Sequence, residues 1–460
     1  VSFAMRLVCD HETLSWSEHP CDGDTPVCDR DACRACASGR SRCDGVSSRW
    51  FCVDGNWEGT AHACSSLRPH CEDGQCVPSL KIAAGGAHAC AALPDFKLKC
   101  WGKGANGQLG DGYAPKVGLG RAVATVDLGQ NRLVRAVAAG GAHTCALLDG
   151  GDVKCWGDNF WGQLGQGDRR SRGSQPGELG DALPSIALGG AASAVAAGQS
   201  HSCALLTDGR VKCWGANTSG QLGVGDTNAR GDDDGEMGEN LSPVEFGSGL
   251  GATVLGVGAQ HNCAAVTDGG VKCWGANADG DEDRADDMLS VTLDRAFAVS
   301  ALALGARHAC ALATDGRVAC WGANAAGQLG VTSPESTTTP ELLDFGHSQR
   351  AIAITAGANH SCAVLDGGEL HCWGYNDRGQ LGVGTLITMG PRWLSAAASP
   401  PIFGASAQGE VPIVDVSGGG SFTCALLETG SVKCWGDNTF GQLGAAGEAG
   451  DDIPPLDLGL

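Results

Sequence analysis

The chain has 460 residues, of which 73 are glycine, 24 cysteine and 17 proline, and 42% are apolar. Glycine at about twice its usual share without a collagen-like triplet indicates a turn-rich globular protein, and the length exceeds one ordinary core unless a repeat lets a single domain run long. Asp and Glu outnumber Lys and Arg by 52 to 31, and the formal charge of -21 repels phosphate backbones, which argues against nucleic acid as a partner.

An even number of cysteines at this density reads as a disulfide framework, which predicts an extracellular or cell-surface location. No stretch reaches the roughly 18 apolar residues of a membrane span. The chain opens at Val1 without a basic leader, so any signal peptide is expected to be already removed. Ten cysteines crowd between Cys9 and Cys76. The order Cys36, Cys43, Cys52, Cys64, Cys71, Cys76, with C-D-G, G-N-W and E-D-G-Q-C-V among them, resembles the small cysteine-rich modules of bacterial surface proteins. Cys9, Cys21, Cys28 and Cys33 look like a partial copy ahead of it. Residues 1–79 are therefore expected to be a module, or modules, that depends on its disulfides, with a connectivity the sequence leaves open.

From Cys90 onward the other fourteen cysteines form seven pairs, each ten residues apart: Cys90 and Cys100, Cys145 and Cys155, Cys203 and Cys213, Cys263 and Cys273, Cys310 and Cys320, Cys362 and Cys372, Cys424 and Cys434. Successive pairs begin 55, 58, 60, 47, 52 and 62 residues apart, the mark of a fixed unit with variable connections. A glycine stands five residues before each first cysteine, from Gly85 to Gly419. A histidine stands two before it in six units, with Phe422 in the seventh, and Trp-Gly follows every second cysteine. Six units then reach G-Q-L-G.

Short runs such as C-A-L-L and V-K-C-W, punctuated by glycine and Asp-Gly, read as antiparallel strands. In six units a glycine stands six residues after the first cysteine, which suits a hairpin loop needing positive φ. Folding about that turn sets the two cysteines opposite one another, within disulfide reach if the pair is non-hydrogen-bonded. A further apolar run lies ahead of each hairpin, as at Val123 to Leu128, Pro243 to Phe246, Pro340 to Phe345 and Pro391 to Leu394. It reads as the fourth strand of a blade. The first unit lacks such a run, so residues 453–458 are expected to close a ring by pairing with the first blade. A four-stranded blade cannot bury both faces alone, so seven should stack about an axis with a tryptophan between neighbours.

The unit A-x-G-x-x-H-x-C-A-L-x-x-D-G-x-V-x-C-W-G-x-N-x-x-G-Q-L-G resembles the regulator of chromosome condensation repeat over residues 80–460. The resemblance implies an all-β chain, a seven-bladed β-propeller behind the small disulfide-rich N-terminal module. The cysteine pairs depart from the nuclear members and look like secreted bacterial versions. The family includes a secreted bacterial inhibitor of β-lactamase that binds its target through loops on one face. It also includes a plant ultraviolet photoreceptor whose tryptophans sit in G-W-R-H-T. The corresponding positions here are Ala87, Ala142, Ser200, Gln260, Arg307, Asn359 and Ser421, so photoreception is not expected. Nucleotide exchange on a small GTPase, by analogy with the nuclear member, would lack its partner in an oxidising compartment.

Six histidines at one register invite a metal reading, but they recur once per blade, too far apart to share an ion, and are read as structural. The fourth unit replaces G-Q-L-G by A-D-G-D-E-D-R-A-D-D. Asn277, Asp279, Asp281 and Asp283 alternate like the oxygen ligands of a calcium loop, although Gly280 falls one place early for an EF-hand and Met288 stands at the twelfth position. Glu282, Asp286 and Asp287 add charge beside them, and Asp232, Asp233, Asp234 and Glu236 form an acidic run in the third unit's connection. Both runs are expected on one face of adjacent blades, holding calcium or a basic partner, with a solvated acidic loop as the plainer alternative. No G-x-S-x-G elbow, H-E-x-x-H or phosphate loop is present, so no enzymatic activity is expected. The expected function is a binding or structural scaffold presenting variable loops to a protein or glycan, with self-assembly outside the cell as the second reading.

Overall fold

In a computed structural model the chain divides into two compact units, Val1–Ser79 and Leu80–Leu460. The structure describes residues 80–460 apart from 94, 114–122, 277–287, 295, 333–335, 347–348, 389–410, 445–454, 457 and 459–460, together with the backbone of nine strands in residues 1–79. In the first unit Met5–Asp10 pairs with Ser15–Pro20, and Ser41–Asp44, Ser48–Val53 and Asn56–Ala63 form a three-stranded sheet. Two short hairpins set Cys28 opposite Cys33 and Cys71 opposite Cys76 in backbone register.

The second unit consists of seven antiparallel sheets, the blades of a propeller. The second blade is typical: Val134–Ala139, His143–Leu148 and Val153–Gly157 pair in that order. Its first strand reads V-R-A-V-A-A, because seven such strands converge on the axis and only small or slim side chains fit there. Each first strand touches that of the next blade, and Ile413–Gly418 touches Lys81–Ala84, so the ring closes. The middle strand, H-T-C-A-L-L in this blade, is buried along its whole length, since both its faces meet neighbouring sheets.

The cysteines of every pair stand directly opposite one another, Cys145 across from Cys155 for example, and each pair is joined by a disulfide with Cα atoms 4.0–4.1 Å apart. The hairpin turn places Gly209 at φ 86° and Gly316 at 87°. In the first blade the same position is Phe96, which takes φ 62° and carries the Arg135 guanidinium over its ring at 5.1 Å.

The expected order of strands needs one correction. Where it is described, the fourth run does not join the following hairpin but lies along the outer strand of the preceding one; Pro391 to Leu394, the run of the sixth unit, lies outside the described residues. Ala124–Val126 pairs with Leu98–Cys100, and Leu289–Val291 pairs with Val271–Cys273. In the fifth blade Ser336–Leu342 pairs with Val318–Ala323, and in the second and third a single backbone bond does the same, from Ile186 N to Val153 O and Val244 N to Val211 O. Leu456 N likewise donates to Val432 O at 2.8 Å, so Leu456 pairs inside the seventh blade and not with the first; residues 453, 454 and 457 lie outside the described residues. Its side chain still reaches the neighbour, because Leu456 and Leu458 share an apolar cluster with Leu80 and Trp101.

Closure instead runs through the main chain. At every junction a backbone N–H near the axis donates to a carbonyl of the adjoining blade: Gly86 to Gly140, Gly141 to Gly198, Gln199 to Ala259, Ala259 to Gly305, Ala306 to Ala358, Ala358 to Gly419, and Gly420 to Gly85. These seven bonds form a closed hoop. Glycine recurs at its corners for want of room. A Cβ on Gly140 would lie 2.6 Å from Gly198 O and press on the ring of His143.

Candidate binding face

The tryptophans fill the gaps between blades, and their indoles also position the turns at one end of the ring. Trp156 Nε1 donates to Gln108 O at 3.1 Å, Trp214 to Gln163 O at 2.9 Å, Trp373 to Gln328 O at 2.9 Å, and Trp101 to Gln442 O at 3.0 Å across the seam. The same carbonyl accepts a second bond from the residue after the next blade's histidine, as Thr144 Oγ1 to Gln108 O and Ser361 Oγ to Gln328 O, both at 2.9 Å. Each of these hydroxyls in turn meets the histidine of the preceding blade: His88 Nε2 lies 2.9 Å from Thr144 Oγ1, and His308 Nε2 2.8 Å from Ser361 Oγ.

Burial holds these imidazoles far below their ordinary 6.5, at about 4 for His88, His201, His261 and His360 and about 3 for His143 and His308. They are neutral struts. Among the described residues no group of three His, Cys, Asp or Glu side chains is disposed to hold a metal. Two junctions depart from the pattern. Phe422 replaces histidine at the seam and shares an apolar cluster with Ala89, where five of the other six blades carry a hydroxyl or amide. His261 Nε2 has no hydrogen-bond partner, because Ala309 occupies that position in the fifth blade.

Held this way, each W-G-x-N-x-x-G-Q-L-G turn is rigid from within. Asn159 Oδ1 accepts from Leu164 N at 2.9 Å and Gln163 Oε1 from Trp161 N at 2.9 Å; the bonds repeat around Asn217 and Gln221, and around Asn376 and Gln380. The side chains of the two residues between Asn and Gly take no part in these bonds. They are Phe160 and Trp161, Thr218 and Ser219, Ala325 and Ala326, Asp377 and Arg378, and Thr439 and Phe440, carried at one end of the ring on an invariant frame. The repeat pattern itself marks these as its free positions; sequence reasoning passed over them because it attended to what recurs.

Asn277, Asp279, Asp281, Glu282, Asp283, Asp286 and Asp287 lie outside the described residues. The third unit's acidic run is described, and half of it has partners in the chain. Asp232 is 7% exposed and accepts from Arg169 Nη2 at 2.5 Å and Nε at 3.1 Å, tying the second connection to the third. Glu236 Oε2 accepts from Gly231 N at 2.8 Å and Asp233 N at 3.2 Å. Glu178 caps the second connection in the same way, taking Gly173 N, Ser174 N and Gln175 N at 2.9–3.0 Å. The run G-D-D-D-G-E is thus a second copy of the turn formed by G-S-Q-P-G-E, and Asp233 and Asp234 are its exposed members.

The Regulator of chromosome condensation (RCC1) repeat matches residues 134–163, 192–221, 299–328, 351–380 and 413–442, and a longer form of it matches 150–205, 315–364 and 367–426. The chain is 30% identical over 390 residues to the Ultraviolet-B receptor UVR8 of Arabidopsis thaliana, covering 82% of this chain and 81% of that protein. It is 28% identical over 312 residues to the human E3 ubiquitin-protein ligase HERC2, 67% of this chain but 5% of that much longer one. In fold it is similar to human WBSCR16, with a TM-score of 0.60, 21% identity and coverage of 86% and 92% of the two chains. It is similar too to yeast RCC1 (Prp20) solved with Kap60, with a TM-score of 0.59, 21% identity and coverage of 75% and 78%. With its repeats matched across most blades and a relative of comparable length at that identity, the chain belongs to the RCC1-repeat family of β-propellers.

Proposed function

We propose that the protein is an exported or cell-surface scaffold that binds a protein partner through the turn-bearing end of its propeller. The observation that carries this reading is the set of rigid turns, each offering two side chains that the frame does not use. A ring that orders its loops before binding loses little entropy when a partner docks. Seven hairpins stapled by disulfides support an oxidising location, since such bonds persist outside the cytosol. That yeast RCC1 (Prp20) was solved bound to Kap60 supports a protein as the occupant. A glycan ligand and self-assembly are the alternatives, and calcium at residues 277–287 remains part of the proposal.

The test is capture by the purified 460-residue chain from the surface fraction of the producing cells, with and without calcium. A specific protein, retained by the native chain and lost when the exposed turn residues are replaced, is the expected result. Capture that depends instead on residues 1–79 alone would refute the assignment to the propeller. Calorimetry with calcium tests the cation directly: neither heat nor a shift in melting temperature removes it.

A further inference from the structure

We infer that the aromatic pair Phe160–Trp161, with the adjoining Arg169–Arg170, is the docking point for an acidic segment of the protein partner; this rests on reading the turn-bearing end as a protein-binding face. Phe160 is 62% exposed and Trp161 37%, with ring centroids 5.2 Å apart and planes at 84°. Both occupy the free positions of the second blade's turn, where the third and fifth blades carry Thr218 with Ser219 and Ala325 with Ala326. The turn folds equally well with those small residues, so packing gives no reason for two large aromatic side chains in water.

The basic residues stand beside them because the same asparagine holds both. Asn159 Nδ2 donates to the carbonyls of Asp168 at 2.7 Å and Arg170 at 3.2 Å, and Asn159 N donates to Ser171 Oγ at 3.2 Å. Arg169–Arg170 is the only adjacent pair of basic residues in a sequence of net charge -21. Arg170 has a side chain 73% exposed, with Glu178 at 3.5 Å as its ion partner, and Arg169 is 61% exposed while it holds Asp232. Trp and Arg are the residues most enriched where binding energy concentrates. Charge selects the occupant: Arg169 and Arg172 stay with Asp232 and Asp168, while the exposed Arg170 guanidinium, held by Glu178 at 3.5 Å, is the cation an acidic segment takes here, and most of the remaining surface repels such a segment. A neutral glycan would stack on the rings without using either guanidinium.

The experiment uses the full 460-residue chain and two fluorescein-labelled twelve-residue peptides, identical but for glutamates or lysines around a central leucine and phenylalanine, read by fluorescence anisotropy. The glutamate peptide is expected to bind at Phe160 and Trp161, whereas any binding of the lysine peptide, drawn by the chain's net charge of -21, should be indifferent to that pair. The double variant Phe160→Ala, Trp161→Ala should weaken binding at least tenfold, and Arg170→Glu should weaken it and flatten its salt dependence. The double variant Thr218→Ala, Ser219→Ala, in the equivalent turn, should bind as the native chain does. Absence of glutamate-peptide binding, glutamate-peptide binding that the Phe160→Ala, Trp161→Ala variant leaves unchanged, or equal loss from the two double variants overturns the inference. So does a neutral oligosaccharide that binds at Phe160 and Trp161 while the glutamate peptide does not. A surface protein captured equally by the native chain and by the Phe160→Ala, Trp161→Ala variant overturns the inference and leaves the broader protein-binding reading standing.

Discussion

Mild acid should take the propeller apart at its blade junctions. The six junction imidazoles are held at about 3 to about 4, against 6.5 in an unfolded chain. Below 6.5 the unfolded chain therefore takes up protons that the folded ring refuses, so the stabilisation is complete above 6.5 and is lost as pH falls toward the folded values. Between pH 7 and pH 5.5 each ring forfeits about 1.2 kcal/mol, or about 7 kcal/mol for six acting alike, comparable with the whole net stability of an ordinary domain. Carboxylates titrate mostly below that window. The disulfides stay closed, so what is lost is stacking between blades, which the buried tryptophans report. Urea unfolding followed by tryptophan fluorescence at pH 7, 6.5, 6 and 5.5 should show the midpoint falling steeply, and His360→Gln should make the fall shallower by one proton. A midpoint unchanged from pH 7 to pH 5.5 would refute the argument, because it would mean that the junctions accommodate charged imidazoles.

Three further substitutions test the frame. Gly140→Ala should cost about 2–4 kcal/mol in thermal or urea unfolding, since the new methyl group meets Gly198 O and the His143 ring with no flexible neighbour to yield. Ala309→Ser should raise stability by about 1 kcal/mol by giving His261 Nε2 the partner it lacks, and a loss would show that the fourth junction is not equivalent to the others. Leu456→Ala should lower stability by about 2–3 kcal/mol through the cluster it shares with Trp101, leaving the Val432 bridge intact as judged by amide exchange at Leu456.

The seven-bladed architecture was legible because each element that builds it recurs: the ten-residue cysteine spacing, the Trp-Gly after it, the glycine before it. Strand order was not. A run such as Val123–Leu128 lies between two hairpins in the chain, and nothing in its composition says which one it will pair with; the ladder of Ala124–Val126 on Leu98–Cys100 decides it. The junction histidines could be read as structural from their once-per-blade spacing, but their partners, Thr144 and Ser202 among them, sit some 55 to 60 residues away and emerge only when neighbouring blades are superposed. The acidic run of the third unit looked like a ligand because charge is visible in a sequence. That Glu236 accepts from Gly231 N and Asp233 N, much as Glu178 accepts from the turn of the second connection, is visible only as geometry.

Because the described strands of each blade come from one continuous stretch of chain, no sheet among the described residues of this ring borrows a strand from the far end of the sequence. The point where the polypeptide is interrupted is then mechanically ordinary. Gly420 N to Gly85 O is one bond of a hoop in which the other six are alike. The molecule should therefore tolerate circular permutation between any two blades, with new ends in the connections and the old ones joined by a linker. Evolution can work at the same grain, copying, deleting or exchanging a whole blade between rings without unpicking a sheet. The variable pair in each turn travels with its blade, so recombination shuffles recognition surfaces while every interface it creates is drawn from the same repeated set of contacts.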